Sequence, residues 1–379
     1  MLTRRTVLAA SSASMLGLAC SPGVLLASAE TDRRLVFIVL RGGMDGLELV
    51  MPVGDPAWSG IGGRQSPLGT PAAIDSFFML HGEMARLAPW VAAGELVFVH
   101  AIASPYRDRS HFDAQNIIET GGRRAYELKD GWVARLVPAI GGDASSAVAL
   151  SPGLPVALRG QIPFGNYPNA RVVMPPGDFG DQLTALWAED PQLGGSWQQA
   201  QRAARVLSSA RGGSPALLAA HFLSHPEGAR VAVIEVGGFD THSNQKYRLG
   251  ALAIQLQQAL LELKAGLGPH WGKTVVIAAT EFGRTVAMNG ANGTDHGTGT
   301  VALVAGGALP GWGLHRGVIA DWPGLKPAEL LDGRDLKPTR DLRSLLLSVS
   351  ARQFGRDPAQ LSPILFPAEP KVAADPAFT

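Results

Sequence analysis

Three acids follow three apolar runs at short distances. Asp45 lies in Gly42-Gly43-Met44-Asp45-Gly46, just after the run 35–40. Asp240 lies in Gly237-Gly238-Phe239-Asp240-Thr241-His242, after the run 231–236. Glu281 follows the run 274–279 by two residues. An acid delivered to the end of a buried strand stands where open α/β sheets bind ligands. Histidines accompany these acids. His242 is two residues from Asp240, and Asp295-His296 follows Glu281 in a Gly- and Asn-rich loop. Alternate residues of an extended segment share a side, so Asp240 and His242 can address one ion. Carboxylate with imidazole is a donor set for a divalent metal. The candidate metal ligands are Asp45, Asp240, His242, Glu281, Asp295 and His296.

A second group is built around Ser110, in Arg109-Ser110-His111-Phe112-Asp113, where a helix is expected to begin. A helix N-terminus favours negative charge and offers free N–H groups. A hydroxyl there, beside a metal, can serve as a nucleophile. Arg107 and Arg109 flank it, and a guanidinium can clamp a pair of anionic oxygens. Ser110 and Arg109 are the candidate catalytic residues. Each residue also has a plainer use. Asp45 suits a turn, Ser110 suits a helix cap, Arg284 suits a salt bridge with Glu281, and His296 suits an exposed loop. Spacing alone leaves both uses open. His81, His100, His221, His225, His270 and His315 lack acids in register and read as packing or surface residues.

The elements that must position these groups are legible as nearly continuous apolar runs at 34–40, 96–102, 231–236, 274–279 and 300–306. Such runs suit strands covered on both faces. Helical patterns fall at 112–120, 179–210 (two helices broken near 191–195), 214–224, 243–266 and 339–354, the last with Thr339 as its cap. Strands alternating with helices predict a mostly parallel sheet with helices on both sides. The Gly/Pro-rich stretches 52–78 and 150–178 read as insertions, and the tail from about 366 reads as a mobile end.

The 379 residues carry a formal charge of +1, and no basic block stands out. That argues against nucleic acid as a partner. Thr3-Arg4-Arg5-Thr6-Val7-Leu8, a short apolar stretch and Ala27-Ser28-Ala29 make residues 1–29 a twin-arginine export signal. The expected product is a periplasmic or secreted protein, a single domain over 30–379, with no transmembrane anchor once the signal is removed. The only cysteine, Cys20, lies in that signal. Leu18-Ala19-Cys20-Ser21 also permits a lipid anchor, although Gly17 stands where a lipobox prefers Leu. Without Cys20 the chain has no thiol for disulfide or thiolate chemistry.

Taken together, the twin-arginine start, Leu40-Arg41-Gly42-Gly43-Met44-Asp45-Gly46-Leu47, Ser104-Pro105-Tyr106, Arg109-Ser110-His111-Phe112-Asp113-Ala114-Gln115, Gly238-Phe239-Asp240-Thr241-His242 and Thr280-Glu281-Phe282-Gly283-Arg284-Thr285 resemble the exported bacterial family called domain of unknown function 1501. That family is similar to the alkaline phosphatase and sulfatase superfamily. The resemblance implies a three-layer α/β/α sandwich and one or two divalent ions, zinc, manganese or calcium, beside a hydroxyl nucleophile. Asp45 falls at the first-strand metal aspartate, Ser110 at the nucleophile, Asp240 and His242 at the later ligand pair and His296 at the last histidine. Glu281-Phe282 stands where an Asp-His pair is implied, which would remove one imidazole unless Asp295-His296 is that pair, displaced by an insertion. The expected function is a metal-dependent hydrolase of phosphate or sulfate esters acting on a small anionic ester. The alternative is a non-catalytic binding or envelope-assembly protein on a degenerate hydrolase scaffold.

Overall fold

The computed structural model describes residues 31–379 except 63, 65–67, 169–174, 176, 191–192, 209–212 and 315–316. Residues 1–29, with Cys20, and His315 lie outside the described residues, and with them the expected export signal. Twelve strands are numbered in chain order: β1 (Arg34–Arg41), β2 (Val50–Met51), β3 (Ala72–Ala73), β4 (Met79–Leu80), β5 (Leu96–Ala103), β6 (Ala147–Leu150), β7 (Gly165–Asn166), β8 (Val231–Gly237), β9 (Thr274–Thr280), β10 (Thr300–Ala305), β11 (Gly317–Ile319) and β12 (Arg340–Asp341). The eight longer helices are α1 (His111–Thr120), α2 (Trp132–Ala139), α3 (Gly177–Trp187), α4 (Leu193–Leu207), α5 (Pro215–Ser224), α6 (Gln245–Leu267), α7 (Leu342–Phe354) and α8 (Pro358–Leu365).

The main sheet runs β11-β5-β10-β9-β1-β8-β6-β7, with β12 also pairing with β5. The apolar runs form its centre, as expected. Side chains of β1 point alternately to two cores. Val36, Ile38 and Leu40 enter one, beneath α5 and α6. Leu35, Phe37 and Val39 enter the other, beneath α2, α7 and α8. A strand buried on both faces cannot alternate polar with apolar, which is why these runs are continuous. The three-layer α/β/α sandwich is the observed architecture.

Two features of the sheet assemble the site. First, β1 pairs in parallel with both β8 and β9, and Leu40 lies opposite Val236 on one side and Thr280 on the other. The chain therefore leaves all three strands side by side. Second, β10 runs antiparallel to both of its neighbours, β5 and β9. Its N-terminal end thus lies at the same edge as the C-terminal ends of the others. The loop that precedes β10 delivers His296 there.

Several boundaries differ from expectation. Residues 340–341 pair with β5, and Asp341 rather than Thr339 caps α7 by accepting the Arg343 N–H. The stretch 52–78 is not plain loop. Its Ala72–Ala73 forms a small sheet with β2 and β4. The tail is not a free end. Phe366 and Phe378 are fully buried in the second core, and Asp375 pairs with Arg340 at 2.7 Å. The apolar surface left by α7 and α8 accounts for this, because it gives the tail aromatic rings a place to bury. Among the described residues no helix is long and apolar enough to cross a membrane.

Candidate metal centre

The loops at this edge approach closely because glycines let them. Gly42 has φ +119°, and a Cβ on it would stand 2.4 Å from the Asp240 nitrogen. A Cβ on Gly293 would stand 2.2 Å from the His242 carbonyl group. Each contact excludes every other residue and presses the β8 loop against a neighbour.

Four side chains gather at this edge. Oδ1 of Asp240 lies 3.0 Å from Nε2 of His242, 3.2 Å from Nε2 of His296 and 3.5 Å from Nε2 of His111. Nε2 of His296 also lies 3.0 Å from Nε2 of His111 and 3.0 Å from Nε2 of His242. The far nitrogen of every ring is anchored to an oxygen. Nδ1 of His111 meets Glu281 at 2.8 Å, Nδ1 of His242 meets Asp295 at 3.3 Å, and Nδ1 of His296 meets the Arg109 carbonyl at 2.9 Å. A carbonyl only accepts, so Nδ1 of His296 carries its proton and Nε2 presents a lone pair to the group.

The protonation states are pushed apart. The hydrogen bond to Glu281 holds His111 above the ordinary imidazole value against opposing burial. Burial, and then the charge of His111, hold His296 below that value. A protonated His111 can therefore donate from Nε2 to the lone pair of His296. Burial alone would raise Asp240, but the hydrogen bond from Arg284 and the nearby His242 outweigh it, and its carboxyl lies below the usual range. Burial would also raise Glu281. Hydrogen bonds from His111 and Gln115 reverse that, and Glu281 too is lowered.

Of the residues singled out in the sequence, Asp240, His242 and His296 meet. Glu281 and Asp295 stand one step behind, each holding a histidine Nδ1. Glu281 is 1% exposed and also accepts from Gln115, the Gly42 N–H and the Thr280 hydroxyl. Arg284 pairs with Asp240 at 2.8 Å rather than with Glu281. Asp45 is not brought to the group. It is 1% exposed, forms a two-pronged contact with Arg64 at 3.0 and 2.8 Å, accepts from Gln245 at 2.7 Å, and caps the turn Gly46–Leu49 through the Glu48 N–H. Arg109 turns its guanidinium to Asp335 at 2.8 Å and contributes its backbone carbonyl instead. Ser110 is the N-cap residue of α1, but its side chain makes no cap bond, and its hydroxyl interacts with the Tyr106 phenol.

Two residues were missed. His111 was passed over as a neighbour of Ser110, although its place in the first turn after β5 was a usable signal. Arg64 carries no motif at all. Phe282, which stands where a histidine was implied, is 4% exposed and packs against His111 and His296 with ring centroids 4.8 and 5.0 Å away. It walls the rings on one side and limits their rotation.

The donors fit a metal ion. Five of the six distances among these Nε2 and Oδ1 atoms run from 3.0 to 3.5 Å. A tetrahedral zinc site with bonds of about 2.0–2.1 Å has donor separations of roughly 3.3–3.4 Å. Histidines anchored at Nδ1 by carboxylate or carbonyl oxygen are the usual supporting arrangement of such sites. His111, Asp240 and His296 form a group able to hold an ion, and His242 adjoins it. A second ion at Asp45 does not fit, because Arg64, Gln245 and the Glu48 N–H already occupy its oxygens.

Comparison with known proteins adds the following. Residues 197–365 match the family model described as protein of unknown function (DUF1501). The family resemblance read from the motifs is thereby supported. No curated protein matches the chain. Solved structures are similar as well, among them the following three. One is the C-terminal periplasmic domain of EptC from Escherichia coli in complex with Zn, at 9% identity, 73% coverage of this chain, 74% of that chain and TM-score 0.35. Another, described under metabolism of multiple glycosaminoglycans by Bacteroides thetaiotaomicron, has 8% identity, coverages of 85% and 72% and TM-score 0.39. The third is the phosphonate monoester hydrolase of Agrobacterium radiobacter, with 11% identity, coverages of 90% and 79% and TM-score 0.37. Likenesses of this order carry no activity over to this chain.

Proposed function

For a chain that matches the DUF1501 model over residues 197–365, we propose an exported hydrolase of phosphate or sulfate esters that works with one divalent ion at His111, His242, His296 and Asp240. The observation that carries the reading is the convergence of three imidazole Nε2 atoms on one carboxylate oxygen, with every Nδ1 anchored. The twin-arginine start supports export. When bound, the ion supplies Lewis-acid polarisation of an ester oxygen and activation of a nucleophile.

The charge count favours an anionic substrate. The imidazoles are neutral as donors, and Arg284 offsets the single charge of Asp240. The full charge of a divalent ion would then be left for the ligand. Ser110 is the assigned nucleophile. It precedes His111, opens α1, and leaves the N–H groups of that helix uncapped by its own side chain. Those N–H groups can take the developing negative charge. Glu281 keeps Nδ1 of His111 protonated, so that Nε2 would be free to hold the ion.

Ser110→Ala is expected to abolish hydrolysis of aryl phosphates and sulfates by the zinc-loaded protein without a change in melting temperature. Full turnover by that variant would remove Ser110 from the role. One observation favours the alternative of a non-catalytic binding protein: the buried Arg284 pairs with Asp240 without any ion. Zinc titration separates the two readings. Saturation at one ion per chain with a raised melting temperature supports the enzyme, since a ligand of the native state stabilises it. No uptake supports the binding protein.

A further inference from the structure

We propose that the cleft beside α1 is a subsite for a polyhydroxylated ring, a sugar unit, forming the alcohol part of the ester. The placement rests on the ester reading, whereas ring binding stands apart from it. The cleft has a volume of about 670 Å³, and Phe112, Tyr126, Gln115 and Arg41 are among its lining. Phe112 directly follows the ligand His111 and is 81% exposed, and Tyr126 is 63% exposed. Leaving a large apolar side chain in water forgoes the stabilisation that burial would provide. Tyr126 also sits at φ +62°, a conformation that costs a bulky residue energy, with its N–H held by Asn116 at 2.7 Å. Two rings are thus kept in solvent at one cleft, one of them on a strained backbone.

The floor narrows the ligand. Arg41 lies between Glu119, at 2.9 Å, and Glu235, and donates to Gln115 at 2.9 Å. Gln115 in turn donates to Glu281, the anchor of His111. An unbroken chain of hydrogen bonds therefore joins the cleft to the metal centre. An alkyl chain would cover this polar floor without replacing its water, which is costly. The lining sets Arg41, Lys129 and Arg159 against Glu119 and Glu235, a mixed polar set rather than a surface of one sign. Hydroxyl groups both donate and accept, and so can meet guanidinium, amide and carboxylate together. The C–H faces of a sugar ring can lie on the aromatic rings while its hydroxyls reach the floor.

The test uses the full chain with zinc and three probes: a hexose 6-phosphate, methyl phosphate and n-octyl phosphate. The double variant Phe112→Ala, Tyr126→Ala changes two exposed side chains, and its zinc uptake is expected to match wild type. Its KM for the hexose ester is expected to rise about tenfold, the scale of two lost ring contacts, with KM for methyl phosphate unchanged. A parallel rise for both esters, or a wild-type preference for the octyl ester over the hexose ester, overturns the proposal. Calorimetric titration with the free hexose separates the two readings. Hexose binding that the variant loses, without turnover of any ester, sustains the subsite and defeats the ester hydrolase. Absence of hexose binding to wild type defeats the subsite.

Discussion

Asp45 and Asp240 begin alike. Each follows a central strand within a glycine-containing turn, and each ends against an arginine whose side chain is fully buried. Their fates differ in exposure and in what the third segment brings. Around Asp45 that segment supplies Arg64, which also donates to the carbonyls of Val286 and Thr285 at 2.7 Å each. The carboxylate is closed off and becomes a pin. Around Asp240, whose side chain is 43% exposed, the segments after β5 and before β10 supply imidazoles, and the carboxylate becomes the centre of a donor group. A strand-end acid therefore specifies a position, while its partners decide whether that position is structural or chemical.

The comparison can be broken most forcefully at Arg64. Arg64→Ala leaves Asp45 buried beside Glu48, whose own carboxyl is pushed up by burial and then by Asp45. Loss of about 3–5 kcal/mol in urea unfolding is expected, the scale for removing one partner of a buried pair. A loss below about 1 kcal/mol, the scale of an exposed pair, would mean that Asp45 is not closed.

The closed side should also respond to acid. His100 is fully buried there, with Nδ1 accepting the Ala101 N–H and Nε2 donating to the Val50 carbonyl at 3.0 Å. Burial lowers it to about 4. A depressed imidazole pKa means that the unfolded chain binds the proton first. Its contribution is intact above about 6.5 and is lost as pH falls through about 4, by up to about 3 kcal/mol. Denaturant midpoints measured from pH 7 to pH 4 should fall accordingly, and by less in His100→Gln.

The open side is sharpened by smaller effects. Glu281→Gln should weaken zinc binding by about 10–100-fold, the usual cost of removing a histidine's anchor, as read by competition with a chelating dye. Unchanged affinity would place Glu281 outside the support of His111. Asp240→Ala should eliminate zinc uptake at a smaller stability cost than Arg64→Ala, because Asp240 is partly open to solvent and the buried Arg284 that it leaves keeps its hydrogen bonds to Thr294. Asp45→Asn should leave the uptake at one ion per chain, and a second ion in wild type would contradict the contrast between the two acids.

Much of this was readable in advance, for definite reasons. The five long strands announce themselves because burial on both faces forces continuous apolar runs. Asp240, His242 and His296 were found because residue type and position agree. Arg64 was hidden because it comes from a Gly/Pro-rich stretch whose course is set by tertiary packing. The direction of β10 was hidden for a similar reason, since an apolar run has no sense of direction. The tail after 366 looked mobile because Pro and Ala dominate it, yet Phe366 and Phe378 find room in the core. His111 was overlooked because Ser110 offered a simpler account of the same turn.

The reversed strand has a consequence for the order in which the molecule matures. The donor group draws on the segments after β5, after β8 and before β10, which are remote in sequence. They meet only when β10 has entered between β5 and β9. Until then His296 has no fixed place, and the chain offers an ion at most a partial grip. The entropic cost of closing those long loops is met by the sheet, not by the ion. Capture of the proposed ion would then be a last event, distinguishing a finished molecule from one stalled a single strand short.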